Sequence, residues 1–320
     1  MKKLLIVCGP TATGKTALAI SLAKRLGGEI ISADSRQVYR RMDIGTGKDL
    51  PPNAKKTGGY YLINGVRVWG YDLVDPKENF SVANYVRFAR KTVNGIGRRM
   101  KLPILVGGTG LYIQGVVDGI PTAFVPKNED LRKNLIGKTL EELFEILAQQ
   151  DPIKAASLNA SDKENPRRLI RAVEIAQWKL KTGGGFSQTP TLTNYSTLFI
   201  GLTAPKEYLS KKIDMRVEAR VDVGVEKEIK KLLSAGTSWD DQAMSSLGYR
   251  QWRDFFEGTK DKNETISAWK KEEKKYAKRQ ITWFKRDRRI KWFDISKPDW
   301  TDSVEKLAKI WYSSDDAKKN

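Results

Sequence analysis

Residues 2–16 read KKLLIVCGPTATGKT, and this stretch decides the fold. The apolar run Leu4–Cys8 ends at Gly9-Pro10, which is typical of a strand buried on both faces. Gly9–Thr16 then fits the pattern G-x-x-x-x-G-K-[ST] at every fixed position. Between a strand and a helix such a loop binds phosphate, because glycines let backbone N–H groups close on the oxygens and the helix adds a positive dipole end. We expect a di- or triphosphate ligand here.

Strands and helices alternate on the C-terminal side of this loop. Periodicity predicts helices over 15–26 and 81–99, and buried strands over 29–33 and 103–106. Alternation at this spacing implies a parallel sheet with helices on both faces, in which ligands bind beyond the carboxyl ends of the strands. The predicted fold class is α/β, a P-loop NTPase-like parallel sheet flanked by helices, with an inserted all-helical domain.

The middle of the chain carries helical patterns alone. Helices are predicted over 128–136, 139–149, 151–158 and 166–181, the last one capped by Asn165 and started by Pro166. A strand over 197–202 follows, and then helices, a strand over 290–293 and a helix over 303–312. The predicted domains are residues 1–120 for the first part of the core, 121–190 for the helical insertion, and 191–320 for the remainder of the core with basic C-terminal helices.

Composition excludes several classes of protein. Lys plus Arg number 58 against 38 Asp plus Glu, a formal charge of +20, so the surface attracts polyanions, although charge alone does not identify a nucleic-acid-binding protein. The absence of histidine excludes a histidine general base and histidine metal ligands. The single cysteine, Cys8, excludes disulfides. The apolar run near the N-terminus is too short for a signal peptide or a membrane span, so a cytoplasmic protein is expected.

An acidic residue follows the second predicted strand. Nucleotide hydrolases usually hold Mg²⁺ with a carboxylate at the end of an apolar strand, yet Ile104–Val106 runs into Gly107-Gly108. Asp34 follows the other early strand instead and is expected at the same edge of the sheet as the phosphate loop. A turn or helix-capping aspartate is the alternative interpretation.

Further motifs are spread along nearly the whole chain. They are Gly9–Thr16, Ile31–Thr46, Leu105–Tyr112, Asp151-Pro152, Arg168 with Arg171–Glu174, Leu247–Gln251 and Tyr276–Trp283. In these motifs the chain resembles the bacterial tRNA dimethylallyltransferases. The resemblance implies transfer of a dimethylallyl group from dimethylallyl diphosphate to N6 of adenosine 37 in tRNAs reading codons that start with U. It also implies Mg²⁺ as cofactor, the tRNA anticodon stem-loop as partner of the helical insertion, and a monomeric protein that binds no membrane.

The resemblance assigns roles to individual residues. It makes Asp34 the base, with Thr109 and Arg216 as further catalytic residues and Thr16 as the metal ligand. The diphosphate would be bound by Gly9, Pro10, Thr11, Ala12, Thr13, Gly14, Lys15 and Thr16. The tRNA would be bound by Asp34, Ser35, Arg36, Gln37, Thr109, Arg132, Arg167, Arg168, Arg171, Gly248, Tyr249, Arg250 and Gln251.

Two segments depart from the family pattern. Trp69–Asp75 reads WGYDLVD where the family usually has P-H-H-L-[IL]-D, so both histidines are missing. The family commonly has methionine followed by Leu or Val where this chain has Arg220-Val221. The packing near that position is therefore expected to differ.

A basic segment with interleaved aromatics lies near the C-terminus. Lys270–Arg289 holds ten Lys or Arg residues among three acids. We expect these cations to contact tRNA phosphates, and Trp283 and Phe284 to belong to the core. Two other functions remain open from the residues alone: a P-loop kinase of a small metabolite, and a nucleotide-switched RNA-binding protein without chemistry.

Overall fold

The computed structural model describes residues 2–183, 192 and 194–314. The chain forms two compact units. One joins the residues up to Asp118 to those from Leu192 onward, and the other consists of the described residues within Gly119–Thr191. The chain therefore leaves the first unit once and returns to it. Residues 184–190 of the predicted insertion lie outside the described residues.

One eight-stranded sheet forms the centre of the first unit. Its strands are β1 (Lys2–Cys8), β2 (Gly28–Ser32), β3 (Lys55–Thr57), β4 (Tyr60–Ile63), β5 (Val66–Trp69), β6 (Leu102–Gly107), β7 (Tyr195–Thr203) and β8 (Ile290–Asp294). They lie in the order β3-β4-β5-β2-β6-β1-β7-β8. Neighbours from β5 to β8 are parallel, whereas β4 is antiparallel to β3 and β5. The carboxyl ends of β1, β2 and β6 therefore meet at one edge.

The central strands are buried on both faces, as their continuous apolar runs predict. Leu4–Cys8 of β1 are all 0% exposed, and every residue of β6 is buried. Leu5 pairs with Ile104 on one side and Leu198 on the other, so the apolar runs of three strands are in register. Burial raises the pKa of the Cys8 thiol to about 12, so it stays protonated.

Thirteen α-helices are found among the described residues. They are α1 (Lys15–Leu26), α2 (Val82–Arg98), α3 (Gly110–Val117), α4 (Glu129–Leu135), α5 (Leu140–Gln150), α6 (Pro152–Ala156), α7 (Ala160–Lys163), α8 (Pro166–Thr182), α9 (Lys206–Val223), α10 (Val225–Ser234), α11 (Arg253–Phe256), α12 (Lys262–Phe284) and α13 (Trp300–Ser313). Helices α4 to α8 belong to the second unit.

Local sequence explains where two of the long helices begin. Asp261 Oδ1 accepts from the backbone N–H of Glu264 at 2.8 Å, and the Glu264 carboxylate accepts from the Asp261 N–H, so α12 starts with a capping box. Asn165 caps α8 as predicted, with Pro166 in its first turn. In the second unit, leucines and alanines of α4, α5, α6 and α8 form a core of its own.

The structure adds elements that the sequence analysis did not predict. Strands β3, β4 and β5 form an antiparallel extension of the sheet, and α7 is a further short helix. In the order of strands across the sheet, the pairing is therefore parallel only from β5 to β8. Among the described residues, no helix has both the length and the apolar character needed to cross a membrane.

Candidate active site

The predicted phosphate loop joins β1 to α1. Gly9 has a φ of +135°, and a Cβ on it would lie 2.4 Å from a backbone oxygen of β7, so only glycine fits. Gly14, with a φ of +78°, precedes α1, whose N-terminus is capped by no side chain of the described residues. Thr13 Oγ1 and Lys15 Nζ both donate to the Pro10 carbonyl, at 2.8 and 2.6 Å. The first N–H groups of α1 can therefore serve an anion.

A glycine pair at the end of β6 lies beside this loop. A Cβ on Gly107 would lie 2.1 Å from the Ala33 carbonyl oxygen, so β6 and the end of β2 are in close backbone contact. The buried Gln280 of α12 accepts from the Thr11 N–H at 2.8 Å and donates to the Gly108 carbonyl at 3.0 Å. At the position where nucleotide hydrolases carry a carboxylate, this chain therefore has closely packed glycines and the Gln280 side-chain amide, which bridges Thr11 and Gly108. Sequence reasoning missed Gln280.

Asp34 and Thr109 follow the neighbouring strands β2 and β6. The Ser35 N–H donates to Thr109 Oγ1 at 3.1 Å, which connects the two segments. Asp34 Oδ1 accepts from the Arg36 N–H at 2.8 Å, so Asp34 does form a local turn, and it also lines the cleft. Tyr276 of α12 lines the same cleft, and burial raises the pKa of its hydroxyl. The structure therefore brings together the predicted base and Thr109.

Arg216 of α9 connects the phosphate loop to a second loop. It donates to Thr11 Oγ1 at 3.0 Å, to the Gly47 carbonyl at 3.3 Å and to Asp49 Oδ2 at 2.6 Å. Burial, and next the positive charge of Arg216, lower the pKa of Lys15 to about 8, and the charge of Asp34 opposes this change. The cationic groups at the loop therefore repel each other, and an anion would relieve that repulsion.

The loop over residues 43–47 is held by one carboxylate. Glu228 accepts from the N–H groups of residues 43, 44 and 45 at 2.8, 2.9 and 3.1 Å, and from the hydroxyl of the fully buried Tyr249 at 2.6 Å. Gln37 donates to the Gly47 carbonyl at 2.9 Å. Two residues predicted to contact tRNA, Gln37 and Tyr249, thus have internal partners that shape the loop, and their tRNA contact stays a prediction.

One cleft of about 930 Å³ opens between these elements. Seven cationic side chains line it, against three acidic ones. The cations are Lys15, Arg36, Lys212, Arg216, Arg220, Arg250 and Arg279, and the acids are Asp34, Asp49 and Glu273. Apolar side chains, including Ile20, Ile30, Ile63, Val106, Met215 and Leu247, complete the wall. The cleft therefore suits a ligand with an anionic part and an apolar part.

Two other predicted tRNA-contacting residues, Arg36 and Arg250, line this cleft, and Gly248 and Gln251 are neighbours of Arg250 in the chain. Arg36 donates to the Gln242 carbonyl at 3.2 Å, and the half-exposed Arg250 pairs with Glu272 at 2.9 Å. Gly248, with a φ of +84°, packs against other protein groups, and its N–H donates to Gln251 Oε1 at 3.0 Å. These contacts are all within the protein and position the residues, so contact of these residues with tRNA stays a prediction.

The remaining predicted tRNA-contacting residues lie in the second unit. Arg132 and Arg171 both bind Glu174, which is 1% exposed on its side chain. Burial opposes ionisation of Glu174, but hydrogen bonds from Arg132, the backbone and Arg171 lower its pKa to about 2. Arg168 pairs with Asp162 at 2.8 Å, whereas Arg167 is exposed on α8. Arg132 and Arg171 thus have a structural role, and RNA contact by this set stays a prediction.

The basic segment Lys270–Arg289, which begins on α12 and continues past its end, is only partly neutralised by neighbours. Six of the predicted cations form no ion pair within the described residues: Lys271, Lys278, Arg279, Lys285, Arg286 and Arg288. Phe284 is 3% exposed, which confirms its core assignment, whereas the prediction for Trp283 was wrong because 39% of it is exposed. A Cβ on Gly110 would lie 2.1 Å from the Trp283 ring, so the indole rests on α3 and leaves its other face in solvent.

The segment that lacks the family's histidines holds a buried ion pair. Lys48, whose side chain is fully buried, binds both Asp72 and Asp43 and donates to the Tyr39 carbonyl at 2.8 Å. Asp72 also accepts from the Tyr61 hydroxyl of β4 at 2.5 Å. Burial opposes ionisation of Asp72, but the charge of Lys48 and these hydrogen bonds lower its pKa. Asp72 therefore fixes the start of the 43–47 loop to the antiparallel part of the sheet.

The residues present fit Mg²⁺ only as a partner of a bound diphosphate. The described residues contain no group of three or more His, Cys, Asp or Glu side chains able to hold a metal ion. Mg²⁺ in phosphate sites takes most of its ligands from phosphate oxygens and water, so one hydroxyl can suffice. Thr16, at the start of α1 and on the cleft wall, supplies that hydroxyl.

The parallel part of the sheet carries a glycine-lysine loop at its carboxyl edge. A cationic cleft opens there, and the Asp34 carboxylate lies on its wall. These features define a P-loop α/β protein that acts on a phosphorylated ligand. The IPP transferase family model matches residues 37–287. The chain belongs to the IPP transferase family, which confirms the resemblance and the predicted fold class.

Named relatives agree over almost the full length. The chain is 38% identical over 296 residues to the tRNA dimethylallyltransferase of Anoxybacillus flavithermus, covering 92% of this chain and 91% of the relative. It is 39% identical over 314 residues to that of Alkaliphilus oremlandii, covering 96% and 95%. The crystal structure of the full-length tRNA isopentenylpyrophosphate transferase of Bacillus halodurans is similar with a TM-score of 0.71 and 33% identity, covering 100% of this chain and 99% of that one.

Proposed function

We propose that this chain transfers a dimethylallyl group from dimethylallyl diphosphate to N6 of adenosine 37 in tRNAs reading codons that start with U, releasing diphosphate. Membership of the family supports transfer of the group to tRNA. The acceptor atom and the tRNA set follow from the resemblance in sequence motifs. The observation that carries the proposal is a single cleft in which Asp34 shares the wall with Lys15 and Arg216.

The phosphate loop and its arginine serve the leaving group. As the bond between the allylic carbon and oxygen breaks, the electron pair stays on the diphosphate. Oriented donors stabilise such a developing charge most when they are already in place. Lys15, Arg216 and the uncapped N–H groups of α1 provide that arrangement before the ligand binds.

Asp34 serves the nucleophile. The N6 nitrogen of adenine forms the new bond to the allylic carbon and must lose a proton, because an alkylated amine would otherwise stay protonated. A positioned base contributes about 10²- to 10⁴-fold in rate, and the chain contains no histidine for this task. The backbone N–H of Arg36 holds the Asp34 carboxylate at the cleft wall, and the bond from the Ser35 N–H to Thr109 fixes the backbone next to it.

Mg²⁺ would be held by Thr16 together with the diphosphate, and it would supply further neutralisation of the phosphate charge. The partner macromolecule is the anticodon stem-loop of tRNA, whose adenine must leave its stack to reach the cleft. The basic face of α12 suits its phosphate backbone. We further propose that the protein acts as a monomer in the cytoplasm.

A transfer assay tests the proposal. The full chain is incubated with labelled dimethylallyl diphosphate, Mg²⁺ and unmodified tRNA, and label in RNA is measured. Asp34→Asn should lower the rate about 10²- to 10⁴-fold while tRNA binding changes little. Asp240→Asn, which removes a charge from a side chain that is 86% exposed, is the matched control and should transfer normally.

Three outcomes would contradict parts of the proposal. Normal transfer by Asp34→Asn would remove the assigned base. Phosphorylation of a small molecule from ATP, or tight nucleotide binding with slow hydrolysis and no label in RNA, would favour the kinase or the switch instead. Position 37 is tested by nuclease digestion of the labelled tRNA and identification of the modified nucleotide.

A further inference from the structure

Arg220 is a buried cation at a position where the family pattern has methionine. It lies four residues after Arg216 on α9, so both side chains leave the same face of the helix. Arg220 is 7% exposed and lines the cleft. A buried guanidinium is costly unless its donors are used, which makes its partners informative.

Only one of the three guanidinium nitrogens of Arg220 has hydrogen-bond partners within the described residues, although the guanidinium also lies over the Trp269 ring, with its carbon 5.9 Å from the ring centroid. Nη1 donates to the Gly45 carbonyl and to Glu273 Oε1, both at 3.3 Å. Glu273 Oε1 also accepts from Trp269 Nε1 at 3.2 Å, so that oxygen is shared. Within the described residues, Nε has no hydrogen-bond partner and is buried, and Nη2 donates no hydrogen bond. Neutralising Glu273 therefore does not account for the whole group.

The free Nη2 lies beside the arginine already assigned to the diphosphate. A Cβ on Gly47, whose φ is +62°, would lie 1.9 Å from Arg220 Nη2 and 2.5 Å from Arg216 Nη2. Both guanidinium groups thus rest on the same glycine of the cleft wall. Two adjacent cations repel each other in a partly desolvated site. Burial is the largest cause of the lowered pKa of Arg220, and the charge of Arg216 is the second. A bound polyanion would remove this repulsion and satisfy Nη2.

We propose that Arg220 is a second arginine of the diphosphate site, whose Nη2 donates to the leaving group beside Arg216. This inference rests on the proposed function, because it concerns the donor of that reaction. In this chain the diphosphate is then held by three side-chain cations, Lys15, Arg216 and Arg220. The acid Glu273 holds the Arg220 side chain in place by binding Nη1, which leaves Nη2 for the ligand.

Direct binding of inorganic diphosphate tests the inference without any transfer step. Binding to the full chain is measured by calorimetry in Mg²⁺ for the wild type and for Arg220→Met combined with Glu273→Gln, so that no buried carboxylate is left unpaired. The dissociation constant should rise roughly 10- to 100-fold, the range for loss of a charge-assisted hydrogen bond. Arg253→Met removes the same charge from an exposed site outside the cleft and should bind like the wild type.

A second variant covers the case in which the double variant does not fold. Arg220→Lys keeps the charge and can pair with Glu273, but it loses the second branch of the fork, so binding should weaken several-fold. In the transfer assay this variant should raise the KM for dimethylallyl diphosphate and leave the KM for tRNA unchanged. A support role for the 43–47 loop alone would move both constants.

The outcomes separate this inference from the proposed function. The role of Arg220 would be overturned if a folded Arg220→Met/Glu273→Gln protein, or Arg220→Lys, bound diphosphate with wild-type affinity. The proposed transfer reaction would not be affected by that result. Diphosphate binding that depends on Arg220 in a chain that transfers no label would support the site and overturn the reaction.

Discussion

The low pKa of Lys15 predicts a loss of donor affinity at mildly alkaline pH. In the free protein this pKa is about 8, against an ordinary value of 10.5, because burial and then Arg216 disfavour the charged form. A diphosphate binds the protonated lysine, so affinity is complete well below pH 8 and falls as the pH rises through that value. Above pH 8 the affinity should fall about tenfold per pH unit, until the pKa of the complex is reached.

The assay is a pH series of dimethylallyl diphosphate binding and of kcat/KM for the same donor, from pH 7 to 9.5. The esterified donor is used because inorganic diphosphate itself loses a proton within this range. Because kcat/KM reports groups of the free protein, both curves should break near the same pH. In Lys15→Met the affinity should be low and independent of pH over this range. In Arg216→Met the affinity should also be low, but the break should move to higher pH, because one cause of the lowered pKa is gone.

A flat profile for the wild type between pH 7 and 9.5 would refute the reasoning, since a lysine of ordinary pKa stays charged throughout. So would a break that persists in Lys15→Met, because another group would then be titrating. A break that does not respond to Arg216→Met would leave burial as the sole cause and would separate the two cations in function.

Three other predictions concern single contacts. Glu174→Gln should lower the free energy of unfolding by about 3 kcal/mol at neutral pH in urea denaturation. The pKa of Glu174 is about 2 against an ordinary 4.5, so the wild type should lose this advantage as the pH falls from 4.5 to about 2. Gln280→Leu leaves two backbone groups unpaired at the phosphate loop, so steady-state kinetics should show kcat/KM for the donor roughly 10- to 100-fold lower. Asp72→Asn removes one of the two carboxylates that bind the buried Lys48, so the free energy of unfolding should fall by about 3 kcal/mol in the same experiment. Asp75 forms a more exposed ion pair with Arg41, and Asp75→Asn should lower the free energy of unfolding by about 1 kcal/mol or less.

Much of the fold could be predicted because its signals are local. The phosphate loop needs Gly9, Gly14 and Lys15 at fixed spacing, and the buried strands β1 and β6 are continuous apolar runs. Asn165 with Pro166 fixed the start of α8 to the residue. The position of Asp34 at the same edge as the loop followed from parallel strand order.

The antiparallel extension had a signal that the sequence analysis did not use. Asn64-Gly65, both with positive φ, forms the two-residue turn between β4 and β5, and Asn-Gly is a strong hairpin signal. The strands themselves are only three or four residues long, and β3 is fully exposed, so hydrophobic alternation over them is weak. Composition around the turn, with several lysines and glycines, resembles that of a loop.

The cleft wall is the part that no local pattern could supply. Glu228, Gln280 and Glu273 are polar residues on long helices, where periodicity assigns them to solvent. Glu228 and Gln280 are instead partners of backbone groups more than 170 residues away, such as the N–H of Gly45 and the carbonyl of Gly108. Glu273 is the partner of the Arg220 side chain on another helix. Their role depends on which helix the topology brings to the carboxyl edge, and that is decided by the packing of α9, α10 and α12. The same reasoning applies to Arg220: on the sequence it is one more cation on a basic helix, and only its burial beside Arg216 over Gly47 gives it a function to test.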